Sequence, residues 1–437
     1  MSSIPTAPRL GIPRALLVLL LVSPLPALPP AEAGSRVPRC FGERATIVGN
    51  HRPNRIVGTP GRDVIVGRGG DDVIIGRGGN DLLCGGSGND RLFGGPGHDK
   101  LNGGKGSDFL AGAAGHDLII GGKGRRDFVQ YLGGPKAVRV NLSKGIARGW
   151  GRDRLLGVEY ASGTRHDDRL IGDHRRNLLF GRGGDDRLGG RGGNDFLFAG
   201  RGNDVLDGGA GSDAVDYTLS DDGVTVNLAA GIATGEGVDN LEGIEHVWGS
   251  THADVLIGDS GPNQIFGWDG PDTLEGAGGD DLLVPGTGVD EVDGGGGADW
   301  IDYFFGKLSN FVATKPVVVD LEAGVATGQG RDTIDGIENI SGTNLNDVLS
   351  GDHEANAIFA YSGDDELYGR AGNDWLDGGP GNDFLHGGPG NDWCTTGESF
   401  EDCESSLPPP VVLLTGIERE HTMRAILTKW IRISASR

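Results

Sequence analysis

Beyond residues 15–22 (ALLVLLLV), close to the N-terminus, no segment of the chain could be transmembrane, and even that run is too short to span a bilayer as a stable helix. Catalytic signatures are also missing. There is no HExxH for zinc hydrolysis, no GxSxG nucleophile elbow and no GxxxxGK[ST] phosphate loop. Positive charge is scarce: 39 Lys and Arg stand against 62 Asp and Glu, a net charge of −23. That shortage argues against nucleic acid and anionic membranes as partners. The four cysteines include no CxxC, which leaves a zinc site unsupported.

Glycine and aspartate are what the chain has in excess. There are 83 glycines, and the aspartates fall on a nine-residue period. The first run is Asp63, Asp72, Asp81, Asp90, Asp99, Asp108 and Asp117. A second carries Asp168, Asp186, Asp195, Asp204 and Asp213, and a third Asp254, Asp272, Asp281, Asp290 and Asp299. The fourth carries Asp347, Asp365, Asp374, Asp383 and Asp392. In the last three runs the second place is an asparagine, Asn177, Asn263 or Asn356. An amide brings no charge, so weak or empty sites are expected beside those residues.

The unit reads G-G-x-G-x-D-x-U-x, with U aliphatic, as in GGSGNDRLF at 85–93. A repeat this short predicts an all-β parallel β-roll, or β-solenoid, built in four blocks. Six glycine-rich residues make a turn and three make a strand whose middle side chain points inward. Two units make one coil, so turns n and n+2 stack and their aspartates share a gap. Stacked carboxylates and turn carbonyls are hard oxygen donors, which suit calcium better than zinc or copper. The ion is expected to be a condition of folding, with acid mimicking chelation. Stacked pairs over the four blocks number 17. A divalent ion in each would carry the net charge from −23 to +11, so 17 is a ceiling.

The domain organisation follows from these runs. Residues 1–33 read as a signal peptide, with Arg9 and Arg14 before the apolar core and Ala31-Glu32-Ala33 at the cleavage point. Residues 34–57 form an N-terminal cap. The repeat blocks are 58–127, 163–217, 249–303 and 342–404, the last including its cap. Strand-rich linkers occupy 128–162, 218–248 and 304–341, so several short rolls are expected. Asp153, Asp239 and Asp332 in the linkers read as turn residues, with extra metal ligands as the alternative. Residues 405–437 are a basic tail whose apolar residues could line one face of a helix. An oxidising destination fits disulfides, Cys40–Cys84 and Cys394–Cys403, one at each end.

The nonapeptides resemble the hemolysin-type calcium-binding repeats of RTX proteins over residues 58–394. The resemblance implies a Ca2+-filled parallel β-roll that folds on secretion. Its ligands would be the twenty-two aspartates above, helped by carbonyls of residues such as Gly70, Gly79, Gly88, Gly184, Gly193, Gly372 and Gly381. No toxin or enzyme domain accompanies the repeats.

A secreted, non-enzymatic calcium-binding protein acting outside the cell is therefore expected. A surface adhesin or matrix component, with cell-envelope or polysaccharide contact, is the alternative. A carbohydrate-active enzyme is the third reading, but Trp150, Trp248, Trp268, Trp300, Trp375 and Trp393 occupy different repeat positions, which weighs against one aromatic groove. Gly258-Asp259-Ser260-Gly261-Pro262 echoes a serine-protease nucleophile loop, yet it falls in repeat register and lacks a histidine segment to work with.

Overall fold

The computed structural model describes residues 37–124, 126–304 and 313–403. The leader and the basic tail lie outside them. Strands and turns account for the described residues, with no helix among them.

The strands follow from the period. Val73–Ile75, Arg91–Phe93 and Phe109–Ala111 each bury only the middle residue, because neighbouring side chains leave opposite faces. Each strand pairs in parallel with the one two units on. Ile65, Leu83, Leu101 and Ile119 stack in a first sheet. Ile56, Ile74, Leu92 and Leu110 stack in a second. Two nonapeptides therefore make one coil of a β-solenoid. The inward residues of the two sheets meet in a single core running from Ile56 to Leu385. Leu101 is fully buried there, so Leu101→Ala is expected to cost about 2–5 kcal/mol. Chemical denaturation in saturating calcium measures it.

The linkers extend this core rather than interrupt it. Arg139–Asn141, Ile146–Arg148 and Arg152–Leu156 form an antiparallel trio in the first sheet, set between Leu118–Lys123 and Arg169–Ile171. Meanwhile the second sheet runs in parallel from Phe128–Gln130 through Tyr160–Ser162 to Leu178–Gly183. The trio recurs at Thr225–Asn227, Ile232–Thr234 and Val238–Glu242. A third copy is Val318–Asp320, Val325–Thr327 and Arg331–Asp335. The four blocks are thus segments of one solenoid, not separate rolls. The reason is that each linker supplies its own inward residues, such as Val140, Ala147 and Leu155, to the same core.

Both disulfides form as expected. Cys40–Cys84 has its Cα atoms 5.7 Å apart and Cys394–Cys403 has them 5.9 Å apart. Cys84 faces outward beside Val64, Val66 and Leu82, where Phe41 and Ala45 cover them.

Four of these six tryptophans, Trp248, Trp300, Trp375 and Trp393, share one face of the second sheet, whereas Trp150 and Trp268 sit in turns. Outward side chains of the second sheet stack along the solenoid, with Phe196 on Trp248 (ring centroids 4.8 Å apart) and Trp248 on Phe266 (5.5 Å). Farther along, Trp300 meets Phe359, Phe359 meets Trp375, and Trp375 meets Trp393. Different repeat positions reach this one face because the seventh and ninth residues of a unit both point outward. Phe196, Trp248, Phe266 and Trp300 are buried, so they do not line an open groove.

Candidate metal centres between the coils

The turns stack as closely as the strands. In the first block the backbone N–H of Asp63 donates to Oδ1 of Asp81 (2.8 Å), Asp81 to Asp99 (2.8 Å) and Asp99 to Asp117 (2.9 Å). On the opposite edge Asp72 donates to Asp90 (2.9 Å) and Asp90 to Asp108 (2.8 Å). Each carboxylate therefore spends one oxygen tying its coil to the coil before. The files repeat in later blocks, as with Asp186 to Asp204, Asp272 to Asp290 and Asp365 to Asp383.

The second oxygen is left over. Oδ2 is buried without a hydrogen-bond partner in Asp72, Asp81, Asp90, Asp99, Asp108 and Asp117 of the first block. The same holds for Asp186, Asp195, Asp204 and Asp213, for Asp272, Asp281, Asp290 and Asp299, and for Asp365, Asp374 and Asp383. A buried unpaired carboxylate oxygen is costly. Here the cost is shared by seventeen groups in register, which points to a common missing counterpart.

The first glycine of each unit opens the space around that oxygen. A Cβ on Gly267 would stand 2.7 Å from Asp272 Oδ2 and 2.6 Å from the Pro285 carbonyl oxygen of the next coil. Gly67 has the same relation to Asp72 and Gly85, and Gly276 to Asp281 and Gly294. Thus a carboxylate oxygen and a carbonyl oxygen from adjacent coils converge where only glycine leaves room. The fourth-position carbonyls named from the sequence lie one step away. The Gly79 oxygen faces the next coil at Gly97, beside Oδ1 of Asp99.

Electrostatics agree. Burial pushes the carboxyls of Asp186, Asp272 and Asp281 up to about 8, and those of Asp72, Asp108 and Asp117 up to about 7. The backbone donor opposes the rise, and the stacked carboxylates add to it. A cation in the gap would reverse both unfavourable effects. Among the described residues no three His, Cys, Asp or Glu side chains converge on one point. The donor set is instead mixed carboxylate and carbonyl, all hard oxygen, which fits calcium.

Comparison with known families finds the RTX calcium-binding nonapeptide repeat at residues 57–92, 93–126, 162–197, 189–224, 248–283, 333–367, 341–376 and 359–394, more than half of the chain. The chain belongs to the RTX calcium-binding repeat family. No curated protein matches it.

Each RTX block opens on turns that close themselves. Asp63, Asp168, Asp254 and Asp347 accept at Oδ2 from the backbone N–H of Thr59, Thr164, Ser250 and Thr343 (2.5–2.6 Å). The hydroxyls of the same four residues also donate to the carboxylates. The asparagines behave alike. Asn177, Asn263 and Asn356 accept at Oδ1 from Asp173, Asp259 and Asp352 (2.7–2.8 Å). Their Nδ2 groups donate to the carbonyls of Glu159, Glu245 and Glu338 in the preceding coil (2.8–2.9 Å). A carboxylate could not make that last bond, so the amide bridges the coils by itself. The protease-like Gly258–Pro262 segment belongs to one of these closed turns. Asn54 plays the same part in the first block, accepting from Asn50 (2.8 Å), ahead of the first comb aspartate.

The first three RTX blocks also end in a set way. The linker aspartates Asp153, Asp239 and Asp332 sit on strands rather than turns, and they continue the file. They accept from the N–H groups of Asp117, Asp204 and Asp290 across 36, 35 and 42 residues. Their Oδ2 atoms accept from the hydroxyls of Tyr131, Tyr217 and Tyr303 (2.8–2.9 Å). On the other edge Glu159, Glu245 and Glu338 take the aspartate's place. Sequence reasoning missed these tyrosines and glutamates because they lie off the nine-residue period. It also missed Asp127, displaced one residue from the comb. The N–H of Asp108 donates to Asp127 Oδ1 (2.8 Å), and Asp127 Oδ2 and the Gly157 carbonyl flank Gly121. The crowding of basic residues in KGRRD at 123–127 hid the shifted tooth. Asp392 occupies the last cradle, at Gly387 beside the Asp402 carbonyl.

Proposed function

We propose that the mature chain is a secreted, non-catalytic calcium-binding protein that folds as ions enter the gaps between its coils. In this reading the comb aspartates with a spare Oδ2, together with Asp127 and Asp392, are ligands, and first-position carbonyls of the following coil assist them. The observation that carries it is the row of buried carboxylate oxygens facing carbonyls, with no protein donor to satisfy them. The closed opening turns of all four blocks and the tyrosine-capped ends of the first three limit each file of ions, so the number bound falls below the ceiling of 17 pairs. Residues 1–33 read as a leader, and no helix among the described residues is long and apolar enough to cross a membrane. Weak extracellular-type affinities, about 10⁻⁴–10⁻³ M, would suit such a destination.

Circular dichroism of the chain from Gly34 tests the coupling. The spectrum is expected to change from disordered to β on adding millimolar calcium. A β spectrum that a chelator leaves unchanged rules it out. Fractionation of expressing cells separates a free product from a surface-anchored adhesin.

A further inference from the structure

The first linker carries a feature that calcium binding does not use. Its antiparallel trio places Arg152 opposite Arg148 and Arg148 opposite Arg139. Parallel pairing then sets Arg139 beside Arg169 and Arg169 beside Arg187. Five arginines therefore stand in one row across five adjacent strands, all exposed on the outer face of the first sheet. With strands roughly 4.8 Å apart, the row is about 19 Å long. None of the five forms an ion pair among the described residues. The exposed carboxylates nearest in sequence, Asp167 and Asp185, lie in the turns. There they accept backbone N–H bonds from Asp185 and Asn203.

Like charges directly opposite one another destabilise a sheet, so the row needs a reason. The fold does not supply one, because the same architecture occurs twice more without it. In the second copy the row reads Val238, Thr234, Thr225, Val255 and Thr273. In the third it reads Arg331, Thr327, Val318, Val348 and Glu366. A chain of net charge −23 has thus gathered cations in one line, on a rigid sheet, at one of three equivalent places.

We infer that this arginine row binds an extended acidic polysaccharide, its carboxylate or sulfate groups meeting successive guanidinium groups along the sheet. Strand spacing is comparable to the advance of one sugar in an extended chain, so charges can be matched one to one. Arginine suits the task because its planar fork grips carboxylate and sulfate oxygens by paired hydrogen bonds. Double-stranded DNA is disfavoured because its charge is denser, about one per 1.7 Å of axis, and a duplex is wider than a single sugar chain, so it would set more negative charge against the acidic surface around the row. The row lies on the outer face of the sheet and uses none of the aspartates assigned to calcium, so it stands or fails apart from that assignment.

The test uses the calcium-loaded chain and chondroitin sulfate, with neutral dextran as control. Binding to chondroitin sulfate but not dextran is expected, weakening as salt rises because counterions are released on association. The triple variant Arg139→Thr, Arg169→Val, Arg187→Thr copies the residues of the second row, so its strands stay compatible with the fold. It is expected to bind chondroitin sulfate at least about tenfold more weakly, with calcium titration and β spectrum unchanged. Native chain that ignores chondroitin sulfate, or a triple variant that binds it as tightly as native, would overturn the inference. So would tighter binding of double-stranded DNA than of chondroitin sulfate at the same salt.

Discussion

Without calcium, β structure is expected at acid pH, about 5 and below, and is expected to be lost as the pH rises to about 8; with millimolar calcium the fold is expected to gain stability over the same range. The sign follows from the carboxylates. In the folded chain burial lifts Asp90 and Asp99 to about 6, Asp195 and Asp204 to about 7, and Asp186 and Asp272 to about 8. Unfolded aspartate titrates near 3.9. Between these limits the folded state holds more protons, so stability is greatest below about 4 and falls as the pH rises through the folded values. Calcium reverses the slope, because it binds the deprotonated form and competes with protons. Acid therefore mimics chelation only for the ion-loaded chain. Thermal melts at several pH values, in chelator and in calcium, give the two slopes. Two curves that slope the same way would refute the assignment of these aspartates as ligands.

The second large effect separates two aspartates that look identical in the repeat. Asp90→Ala is expected to disturb calcium binding in two gaps, because Asp90 bonds the coils on both sides and has a spare Oδ2. Asp63→Ala is expected to leave the calcium stoichiometry unchanged, since Thr59 closes that carboxylate. Its cost is a lost turn bond, about 1 kcal/mol. Isothermal titration gives ion number and affinity for both variants. Equal losses would mean that the closed turn does open for an ion.

Much of the site was legible because its logic is local. A nine-residue period fixes which residue points inward, so Ile65, Leu83 and Leu101 could be named as core from spacing. The same period fixes which carboxylates stack, two units apart. Even the disulfide at Cys40 and Cys84 followed from an outward repeat position next to the cap. What stayed hidden begins where the chain leaves the period. Tyr131 reaches Asp153, and Asp153 reaches Asp117, across excursions whose length no repeat dictates. Asp127 escaped by a shift of one residue.

The sequence alone determined the coil, the core and the identity of the ion. Each depends on contacts between residues 18 apart, and a strict repeat states those contacts outright. Tertiary structure decided where each file of stacked carboxylates begins and ends, and it gathered the aromatic face and the arginine row. Arg152, Arg148 and Arg139 come from antiparallel strands in a linker, whereas Arg169 and Arg187 come from parallel strands in a block. They share a line because hydrogen-bond register, not sequence spacing, sets which side chains stand opposite each other.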